Sequence, residues 1–261
     1  MPTQTAIISD QGIPFVVHVT TLQERKRHAK SEQIEKPFNP FLPPDPDLLV
    51  CEIPPHHIGV LNKFNVLRHH LLIVTRGYEP QEKLLDDADF VALTTCMSGM
   101  DGLGFYNGGT VAGASQSHKH IQLVPLPLGT GPMATPLDSI VDGSAVVGTQ
   151  TQISPFNFAH VLIPLDGSRL GPHRADELHQ HYRHACSALG IHNETQPYNL
   201  LVTRRWMLLV PRSHESWREV SINALAFAGS LLVRNRTELD QLKETGPLAI
   251  LRSVVDDDSP P

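Results

Sequence analysis

Charged residues and long hydrophobic runs are both scarce in this sequence. Only 18% of its 261 residues are charged, and the longest apolar runs, at 71–74 and 207–210, are far too short to span a bilayer. Residues 1–10 show no basic flank followed by an apolar stretch, so no secretory signal is expected there. Hydrophobic residues, at 40%, are sufficient for an ordinary buried core. We therefore expect a cytoplasmic globular protein.

Cysteine and positive charge are also in short supply. The three cysteines, Cys51, Cys96 and Cys186, are odd in number and widely separated, which argues against a disulfide framework and against a zinc site of paired cysteines. The formal net charge of −6 argues against nucleic acid or a membrane as a partner, because a basic field is needed to bind either. A small polyanion is not excluded, since it needs only a local cluster of cations.

The pattern of apolar residues predicts both strands and helices. Strands are predicted at 48–53, 56–64, 69–75, 103–107, 117–124, 156–163, 198–203 and 206–210, and the last two are expected to form a tight hairpin. Helices are predicted at 86–100, 175–189, 222–233 and 238–252. Prolines lead us to expect an irregular segment at 1–47. Residues 129–150, rich in Gly, Thr, Pro and Ser, are expected to form a surface loop or part of a lid.

Histidine is common, and one group of polar residues alternates with apolar ones. On a strand, His118, His120 and Gln122 would share one face, while Ile121 and Leu123 would point to the other face and into a core. With 15 histidines in the chain, about one His-x-His spacing is expected by chance. The surrounding residues therefore decide what this spacing means.

A glycine-bearing segment precedes this strand. The Asn107-Gly108-Gly109 sequence can bring backbone N–H groups close to an anion, and residues 115–117 add small hydrogen-bond donors. Such groups can hold phosphate oxygens while a histidine attacks phosphorus. A neutral imidazole nitrogen is a good nucleophile near pH 7 if its other nitrogen donates to a fixed acceptor. We expect that acceptor to be a backbone carbonyl of the glycine loop.

Three parts of the chain resemble one enzyme family. Residues 105–107, 113–116 and 118–125, which read Phe-Tyr-Asn, Gly-Ala-Ser-Gln and His-Lys-His-Ile-Gln-Leu-Val-Pro, are similar to the active-site segment of diadenosine tetraphosphate phosphorylases. Residues 61–81 resemble the N-terminal part of that family, and residues 197–213 resemble its C-terminal part. These enzymes, also called ATP adenylyltransferases, are relatives of galactose-1-phosphate uridylyltransferase in the histidine-triad superfamily. The resemblance extends over roughly residues 50–250.

The resemblance implies a nucleotidyltransferase that cleaves diadenosine tetraphosphate with inorganic phosphate to give ATP and ADP. His120 would attack the α-phosphorus, and phosphate would then attack the adenylyl-histidine. His118 would orient the strand or contact phosphate. Gln122 stands where hydrolases of the superfamily have a third histidine, and it can bind phosphate oxygens without titrating. A polyphosphate is already a good leaving group, so a strong general acid is not required.

The resemblance also implies substrate-binding residues. The positions that match it are Lys63, Asn107, Gly113, Ala114, Ser115 and Gln116. Thr203 is a further candidate for nucleotide contact, and the candidate phosphate clamps are Arg204, Arg205 and Arg212, because the arginine fork suits phosphate. No protein-borne metal site is expected, and Mg²⁺ is expected only with the nucleotide. The expected partners are therefore small-molecule nucleotides and inorganic phosphate.

The expected fold is α+β and histidine-triad-like, with a mostly antiparallel sheet and flanking helices. Residues 1–170 are expected to form an N-terminal phosphorylase domain with the His-x-His-x-Gln strand, and residues 171–261 a C-terminal ATP adenylyltransferase domain. Ser117 stands where the family often has proline, and the chain is shorter than many relatives, which leaves the nucleotide preference open. Other functions also stay open: a hexose-1-phosphate nucleotidyltransferase, a hydrolase, or a non-catalytic nucleotide sensor or metal binder.

Overall fold

An antiparallel sheet of eight strands forms the centre of the computed structural model, which describes residues 4–19, 39–63, 67–129, 131–141, 146–168 and 172–256. The strands are, in chain order, β1 Gln4–Asp10, β2 Ile13–Val19, β3 Leu49–Ile53, β4 His57–Leu61, β5 Leu71–Thr75, β6 Gly102–Gly108, β7 His120–Pro125, β8 Val161–Pro164, β9 Tyr198–Val202, β10 Trp206–Pro211, β11 Ser216–Trp217, β12 Val220–Ser221 and β13 Ser230–Val233. The large sheet has the order β3-β4-β5-β7-β6-β9-β10-β8, with every neighbouring pair antiparallel. A second sheet contains β1, β2 and β13, of which β13 runs parallel to β2.

The described residues form five α-helices: α1 Asp87–Gly99, α2 Pro172–Ala188, α3 Ala224–Phe227, α4 Arg236–Thr245 and α5 Pro247–Ser253. The start of α1 is fixed by a capping box. The Asp86 carboxylate accepts hydrogen bonds from the N–H groups of Ala88 and Asp89, and the Asp89 carboxylate accepts one from the Asp86 N–H. These bonds satisfy backbone groups that the first turn of a helix leaves unpaired, so α1 begins here.

The two faces of the large sheet bury different cores. On one face, α1 and α2 cover alternate residues of the central strands, including Ile121 and Leu123 of β7. On the other face, β2, β13, α4 and α5 pack against the residues in between, including Phe105 of β6. Because side chains alternate along a strand, His120 and Gln122 lie on this second face. The predicted alternation of β7 is therefore confirmed.

Three predictions near the ends of the chain are wrong. The segment predicted to be irregular at 1–47 contains the β1–β2 hairpin, while residues 20–38 lie outside the described residues. The helix predicted at 222–233 contains only the short α3, followed by Gly229 at φ 92° and the strand β13. The single helix predicted at 238–252 is divided into α4 and α5, because Gly246, at φ 87°, and Pro247 interrupt it.

Residues 129–150, predicted to be a surface loop, contribute partly to the core. Leu137, in a 3₁₀ helix at Pro136–Ser139, is fully buried, and Asp138 accepts a hydrogen bond from Trp206 Nε1 at 2.7 Å. The strand predicted at 156–163 is shortened to β8. The remaining strands, and the helices predicted at 86–100 and 175–189, are confirmed to within three residues at each end. The expected α+β class is therefore confirmed.

The large sheet continues across the predicted domain boundary at residue 170, because β6 and β9 are hydrogen-bonded neighbours. The division into residues 1–170 and 171–261 stays a prediction. Among the helices of the described residues, none combines the length and the hydrophobicity that crossing a bilayer requires.

Candidate active site

His120 is the first residue of β7 and lies where β6 and β7 separate. Continuing the pairing of β6 with β7 by two residues puts Asn107 opposite His120. On the other side, Val74 of β5 is paired with His120. The strand predicted to begin at residue 117 thus begins three residues later, and His118 precedes it. The site is therefore built around the N-terminal end of β7.

The two ring nitrogens of His120 have different environments. Nδ1 lies 2.8 Å from the backbone carbonyl oxygen of His118, so Nδ1 carries the proton and donates it. Nε2 keeps its lone pair, and none of the described residues is hydrogen-bonded to it. Burial lowers the pKa of His120 to about 4, so the ring is neutral at pH 7. The expected carbonyl acceptor is present, but it belongs to His118 and not to the glycine loop.

Protein groups occupy both ring nitrogens of His118. Its Nε2–H donates to the backbone carbonyls of Thr75 at 2.9 Å and Gly77 at 3.1 Å, and its Nδ1 accepts from the Asn39 side-chain amide at 2.9 Å. Burial lowers the pKa of His118, which favours the neutral ring. No ring nitrogen is left for a phosphate. Of the two predicted roles of His118, only the orientation of the strand fits this geometry.

Phe41 covers both histidines of the motif. Its ring centroid lies 5.6 Å from that of His118 and 5.5 Å from that of His120, and it packs in a small apolar cluster with Val74. Asn39 holds this segment in place, because its Oδ1 accepts from the Phe41 N–H at 3.0 Å while its amide nitrogen binds His118. One asparagine therefore connects the first histidine to the residue that buries the second.

Gln81 fills the gap where β6 and β7 separate. Its Oε1 accepts from the His120 N–H at 2.8 Å. Its Nε2 donates to the backbone carbonyls of Asn107 at 2.9 Å and His120 at 3.2 Å. The side-chain amide, which is fully buried, thus takes the place of a peptide group of an adjacent strand. The main chain at His120 is held by these bonds although β6 has diverged from it.

Two side-chain amides, those of Asn107 and Gln122, lie on the His120 face with their oxygens already bonded. The Asn107 Oδ1 accepts from Asn199 Nδ2 at 2.9 Å and from the Ala224 N–H at 3.0 Å. The Gln122 Oε1 accepts from His70 Nε2 at 3.0 Å. Since each oxygen is occupied, the NH₂ groups are what the two amides can offer to a ligand. Two uncharged hydrogen-bond donors therefore flank the His120 imidazole.

The glycine-bearing loop uses most of its N–H groups internally. Loop carbonyls accept hydrogen bonds from the N–H groups of Gly109, Ala112, Gly113 and Ala114. The prediction that the glycine N–H groups bind an anion is therefore wrong for these positions. The N–H groups of Ser115, Gln116 and Ser117 donate to none of the described residues. These three residues are the ones in the loop that can donate to a phosphate.

Gly113 is required by the shape of this loop. It has a φ of 90°, in the left-handed region, and a Cβ atom at this position would lie 2.7 Å from the backbone oxygen of Ile222. The neighbouring carbonyl of Ala112 accepts from Asn199 at 2.8 Å and from Arg212 at 3.3 Å. Gly113 and Ala114 therefore shape the loop that presents residues 115–117.

Arg212 is a structural residue, which contradicts its predicted role as a phosphate clamp. Its buried guanidinium donates to the side chain of Asn199 at 2.6 Å and to the backbone carbonyls of residues 112, 214, 215, 222 and 254. Burial lowers the pKa of Arg212 to about 9. All five N–H groups of the guanidinium are occupied by these acceptors, so none is left for a phosphate.

Thr203 lies at the opposite end of the sheet from His120. Asn199 is paired with Asn107, and four residues of β9, about 13 Å, separate Asn199 from Thr203. The Thr203 hydroxyl oxygen closes the β9–β10 hairpin by accepting from the N–H groups of Arg205 at 3.1 Å and Trp206 at 3.0 Å. The structure gives Thr203 a role in the hairpin, and its contact with the nucleotide stays a prediction.

Arg204 and Arg205 accompany Thr203 and are equally remote from the histidines. Arg204 donates to the backbone carbonyl of Met97 at 2.9 Å and lies 3.6 Å from the Asp101 carboxylate. With Thr203 and Asp101, the two arginines line a cavity of about 300 Å³ that contains none of the motif residues. The structure does not bring these two arginines to the histidines, and their role as phosphate clamps stays a prediction.

Lys63 lies in the turn that connects β4 to β5, and its side chain is exposed. Its Nζ is 4.0 Å from the Asp45 carboxylate, which is a loose pairing at a solvated surface. The preceding residue, Asn62, donates to the ring of His70, which in turn holds Gln122. The substrate-binding role of Lys63 stays a prediction.

Sequence reasoning missed four residues that hold this site: Asn39, Phe41, His70 and Gln81. None of them is close in sequence to the motif at 118–122. The sequence could have indicated only His70 and Gln81, because both lie in the segment 61–81 that resembles the phosphorylases.

Metal-binding side chains are not grouped in the described part of the chain. No three or more of its His, Cys, Asp and Glu side chains are arranged so that they could hold a metal ion. On α2, where His181 and His184 are one turn apart, His181 lies 3.7 Å from the carboxylate of Glu177 instead.

Comparison with known sequences identifies two families. The Ap4A phosphorylase N-terminal domain matches residues 1–143, and the ATP adenylyltransferase C-terminal domain matches residues 154–255. Diadenosine 5′,5‴-P1,P4-tetraphosphate phosphorylase 2 of Saccharomyces cerevisiae is 28% identical over 252 residues, which cover 84% of this chain and 76% of that protein. Protein APA1 of the same yeast is 24% identical over 270 residues, with coverages of 89% and 79%.

Comparison of structures gives the same fold. The crystal structure of yeast Ap4A phosphorylase Apa2 in complex with Ap4A has a TM-score of 0.76 and 24% sequence identity, covering 96% of this chain and 88% of that chain. At this level of identity the likeness establishes the fold. Because the N-terminal family match covers more than half of the chain, this protein belongs to the Ap4A phosphorylase family.

Proposed function

We propose that the protein cleaves diadenosine tetraphosphate (Ap4A) with inorganic phosphate to ATP and ADP, through an adenylyl intermediate on His120. The observation that carries this proposal is the 2.8 Å hydrogen bond from His120 Nδ1 to the His118 carbonyl, which leaves Nε2 unprotonated. The relatives indicate which substrate to expect: a yeast relative is named as a diadenosine tetraphosphate phosphorylase, and the crystal structure of yeast Apa2 contains Ap4A.

In the first step, Nε2 of His120 attacks the α-phosphorus of Ap4A. A bond forms between Nε2 and phosphorus, the bond from phosphorus to the bridging oxygen breaks, and ATP leaves. The low pKa of His120, about 4, keeps Nε2 unprotonated near neutral pH. The imidazole ring becomes positively charged in this step, and the His118 carbonyl that holds Nδ1–H stabilises that charge.

In the second step, an oxygen of inorganic phosphate attacks the same phosphorus. The bond from phosphorus to Nε2 breaks, ADP forms, and His120 returns to its neutral state. The reverse reaction joins ATP and ADP into Ap4A with release of phosphate through the same intermediate. Because ATP has left before phosphate enters, one set of hydrogen-bond donors serves both half-reactions.

The donors are the groups that the protein leaves unoccupied around His120. The NH₂ groups of Asn107 and Gln122 and the N–H groups of residues 115–117 donate to phosphate oxygens. Lys63, an exposed cation, binds the distal phosphates of the chain. Amide donors do not titrate, so they remain donors throughout attack and transfer.

Mg²⁺ enters this reaction as part of the substrate, bound to the polyphosphate, because phosphate oxygens are ligands that Mg²⁺ prefers. The partners of the protein are then nucleotides and inorganic phosphate. The net charge of −6 disfavours nucleic acid and anionic lipid as further partners.

Intact-protein mass spectrometry after brief incubation with Ap4A, without phosphate, tests the proposal. The wild type is expected to gain the mass of one adenylyl group, and His120→Ala is expected to gain nothing. Adding phosphate to the purified adduct should release ADP. Release by a hexose 1-phosphate but not by phosphate would instead indicate a sugar-phosphate nucleotidyltransferase, and release by water alone would indicate a hydrolase.

His160 provides a matched control for this experiment. Its Nδ1, like that of His120, lies near the carbonyl two residues earlier, that of Phe158, at 2.9 Å. Its Nε2, however, accepts the N–H of Ile153 at 2.7 Å and cannot attack a substrate. His160→Ala should therefore still be adenylylated. An absence of both adduct and Ap4A consumption in the wild type would reject the proposed function.

A further inference from the structure

A relay of three side chains ends on Gln122. The Asn62 amide lies 3.2 Å from His70 Nδ1, and His70 Nε2 lies 3.0 Å from Gln122 Oε1. His70 immediately precedes β5 and is buried, with its ring 5.8 Å from that of Phe105. The Asn62 N–H also donates to the His70 carbonyl at 2.9 Å, so the main chain fixes the spacing of the first two members.

The relay can run in only two directions, because a neutral imidazole has one donor and one acceptor nitrogen. If Asn62 donates to Nδ1, then Nε2 carries the proton and donates to Gln122 Oε1, and Gln122 presents its NH₂ group to the site. If the direction is reversed, Gln122 donates to His70 and presents its oxygen to the site. Phosphate oxygens are acceptors, so only the first direction supplies a hydrogen bond to the substrate.

We infer that His70 is a positioning residue for the reaction, which holds Gln122 with its NH₂ group towards the transferred phosphate while Asn62 holds His70 in the required tautomer. This inference rests on the proposed function. It assigns a task to a histidine that lies outside the His-x-His-x-Gln motif and acts only through Gln122. The NH₂ group of Gln122 stabilises the negative charge that develops on the phosphate oxygens during attack. Loss of its orientation should therefore lower kcat more than it raises KM.

Two variants of similar size at position 70 separate the effect of the His70 Nε2–H donor from the effect of side-chain volume. His70→Gln keeps an N–H group near the position of Nε2, and His70→Met has similar length but no donor. The rate of adenylylation is expected to fall about tenfold in His70→Met, about threefold or less in His70→Gln, and about 100-fold in Gln122→Ala. Circular dichroism and urea unfolding establish that each variant is folded.

The double variant separates positioning from simple loss of structure. If His70 acts through Gln122, adding His70→Met to Gln122→Ala should change the rate by no more than about twofold. His160→Met, a substitution in another buried histidine, should instead have the same small effect on the rate in both backgrounds. Asn62→Leu, at the half-buried end of the relay, gives a second measurement if His70→Met is unfolded, with an expected loss of about threefold that also disappears in Gln122→Ala.

The outcomes distinguish this inference from the proposed function. Suppose that the wild type is adenylylated but that the fold-losses in rate caused by the single substitutions multiply in the double variants. This result would overturn the role of His70 and leave the proposed function intact. A wild type that is not adenylylated would overturn the proposed function, and the inference with it. We expect His70→Met to lower kcat, His70→Gln to retain most of the wild-type rate, and His70→Met to have little further effect in Gln122→Ala.

Discussion

The side-chain amide of Gln81 makes hydrogen bonds to both the N–H and the carbonyl group of His120, at 2.8 Å and 3.2 Å. The same amide donates to the carbonyl of Asn107 at 2.9 Å. Gln81 thus connects His120 on β7 to Asn107 on β6 at the point where the two strands stop pairing. Gln81 satisfies the backbone groups that the separation of the two strands leaves unpaired.

Replacing Gln81 by methionine tests this relationship. Gln81→Met preserves length but leaves the N–H of His120 and two carbonyls without partners, so we expect a loss of about 2–4 kcal/mol in the free energy of unfolding. Adenylylation should also slow by about tenfold, because a displaced His120 is no longer aligned with phosphorus. Urea unfolding and quenched-flow kinetics measure the two effects. Gln180→Met, on the exposed face of α2, is the control and should change stability by less than about 0.5 kcal/mol.

The pH dependence of adenylylation should depend on Phe41. Only the neutral imidazole attacks, and burial lowers the pKa of His120 to about 4, so the wild-type rate should stay constant above this pH and fall as the pH drops through it. Phe41→Ala exposes the ring and should raise the pKa of His120 towards its ordinary value, moving the acid limb up by about one pH unit. Single-turnover rates measured between pH 4 and 8 report this shift.

Phe41→Leu is the matched control for the pH experiment, because it retains most of the apolar cover. Its acid limb should stay close to that of the wild type. Circular dichroism at each pH separates protonation of His120 from acid unfolding. An acid limb that does not move in Phe41→Ala would show that Phe41 is not what keeps the imidazole in an apolar environment.

The sequence was sufficient for the parts of the molecule that local patterns determine. Alternation along β7 predicted which face His120 occupies, and the spacing of apolar residues predicted the helix at 86–100 that the structure shows as α1. The hairpin of β9 and β10 was predicted from two apolar runs separated by Arg204 and Arg205. Each of these features depends on residues only a few positions apart.

The parts that could not be predicted depend on contacts between distant residues. Ser230–Val233 has the apolar content of a buried helix, but it pairs in parallel with β2, more than 200 residues earlier in the chain. Asn39 meets His118, and Gln81 meets His120, across 79 and 39 residues. Arg212 resembles a phosphate clamp in sequence, and only the folded chain brings its acceptors around it.

Arg212 should affect stability and not substrate affinity. Arg212→Lys retains the charge but provides fewer donors in a different geometry, so several of the buried acceptors, including Asn199 Oδ1, lose their partner. We expect the free energy of unfolding to fall by about 3 kcal/mol, with the KM for Ap4A changed by less than about twofold at temperatures where the variant is folded. Urea unfolding and steady-state kinetics measure both quantities. A large increase in KM in Arg212→Lys without a loss of stability would show that Arg212 binds the phosphates of the substrate after all.

The lysine between the two motif histidines should also be a stabilising residue. Lys119 points to the opposite face of the strand from His118 and His120, is buried, and lies 2.5 Å from the Asp89 carboxylate at the start of α1. Lys119→Met removes the cation of a buried ion pair, and the hydrogen bonds from His57 and the Asp86 N–H compensate the buried Asp89 carboxylate only in part, so the free energy of unfolding should fall by about 3–5 kcal/mol. Chemical unfolding at pH 7 measures this loss.

The same variant should change how stability depends on pH. Burial acts to raise the pKa of Asp89, but the hydrogen bond from His57 and the charge of Lys119 outweigh burial and lower it. Because the folded pKa lies below the unfolded one, this pair stabilises the fold at higher pH, and the stabilisation is lost as the pH falls through the folded pKa. Without Lys119 the pKa of Asp89 rises, so the loss of stability on acidification should begin at a higher pH.

Lys83 gives the control that separates a buried pair from an exposed one. Its Nζ lies 2.7 Å from the Glu79 carboxylate, but both side chains are about one-third or more exposed. Water screens such a pair, so Lys83→Met should cost less than about 1 kcal/mol and leave the acid transition where it is in the wild type. If Lys83→Met and Lys119→Met were equally mild, the buried pair would not be what fixes α1 to β7, and the apolar contacts of α1 with the sheet would be sufficient to hold it.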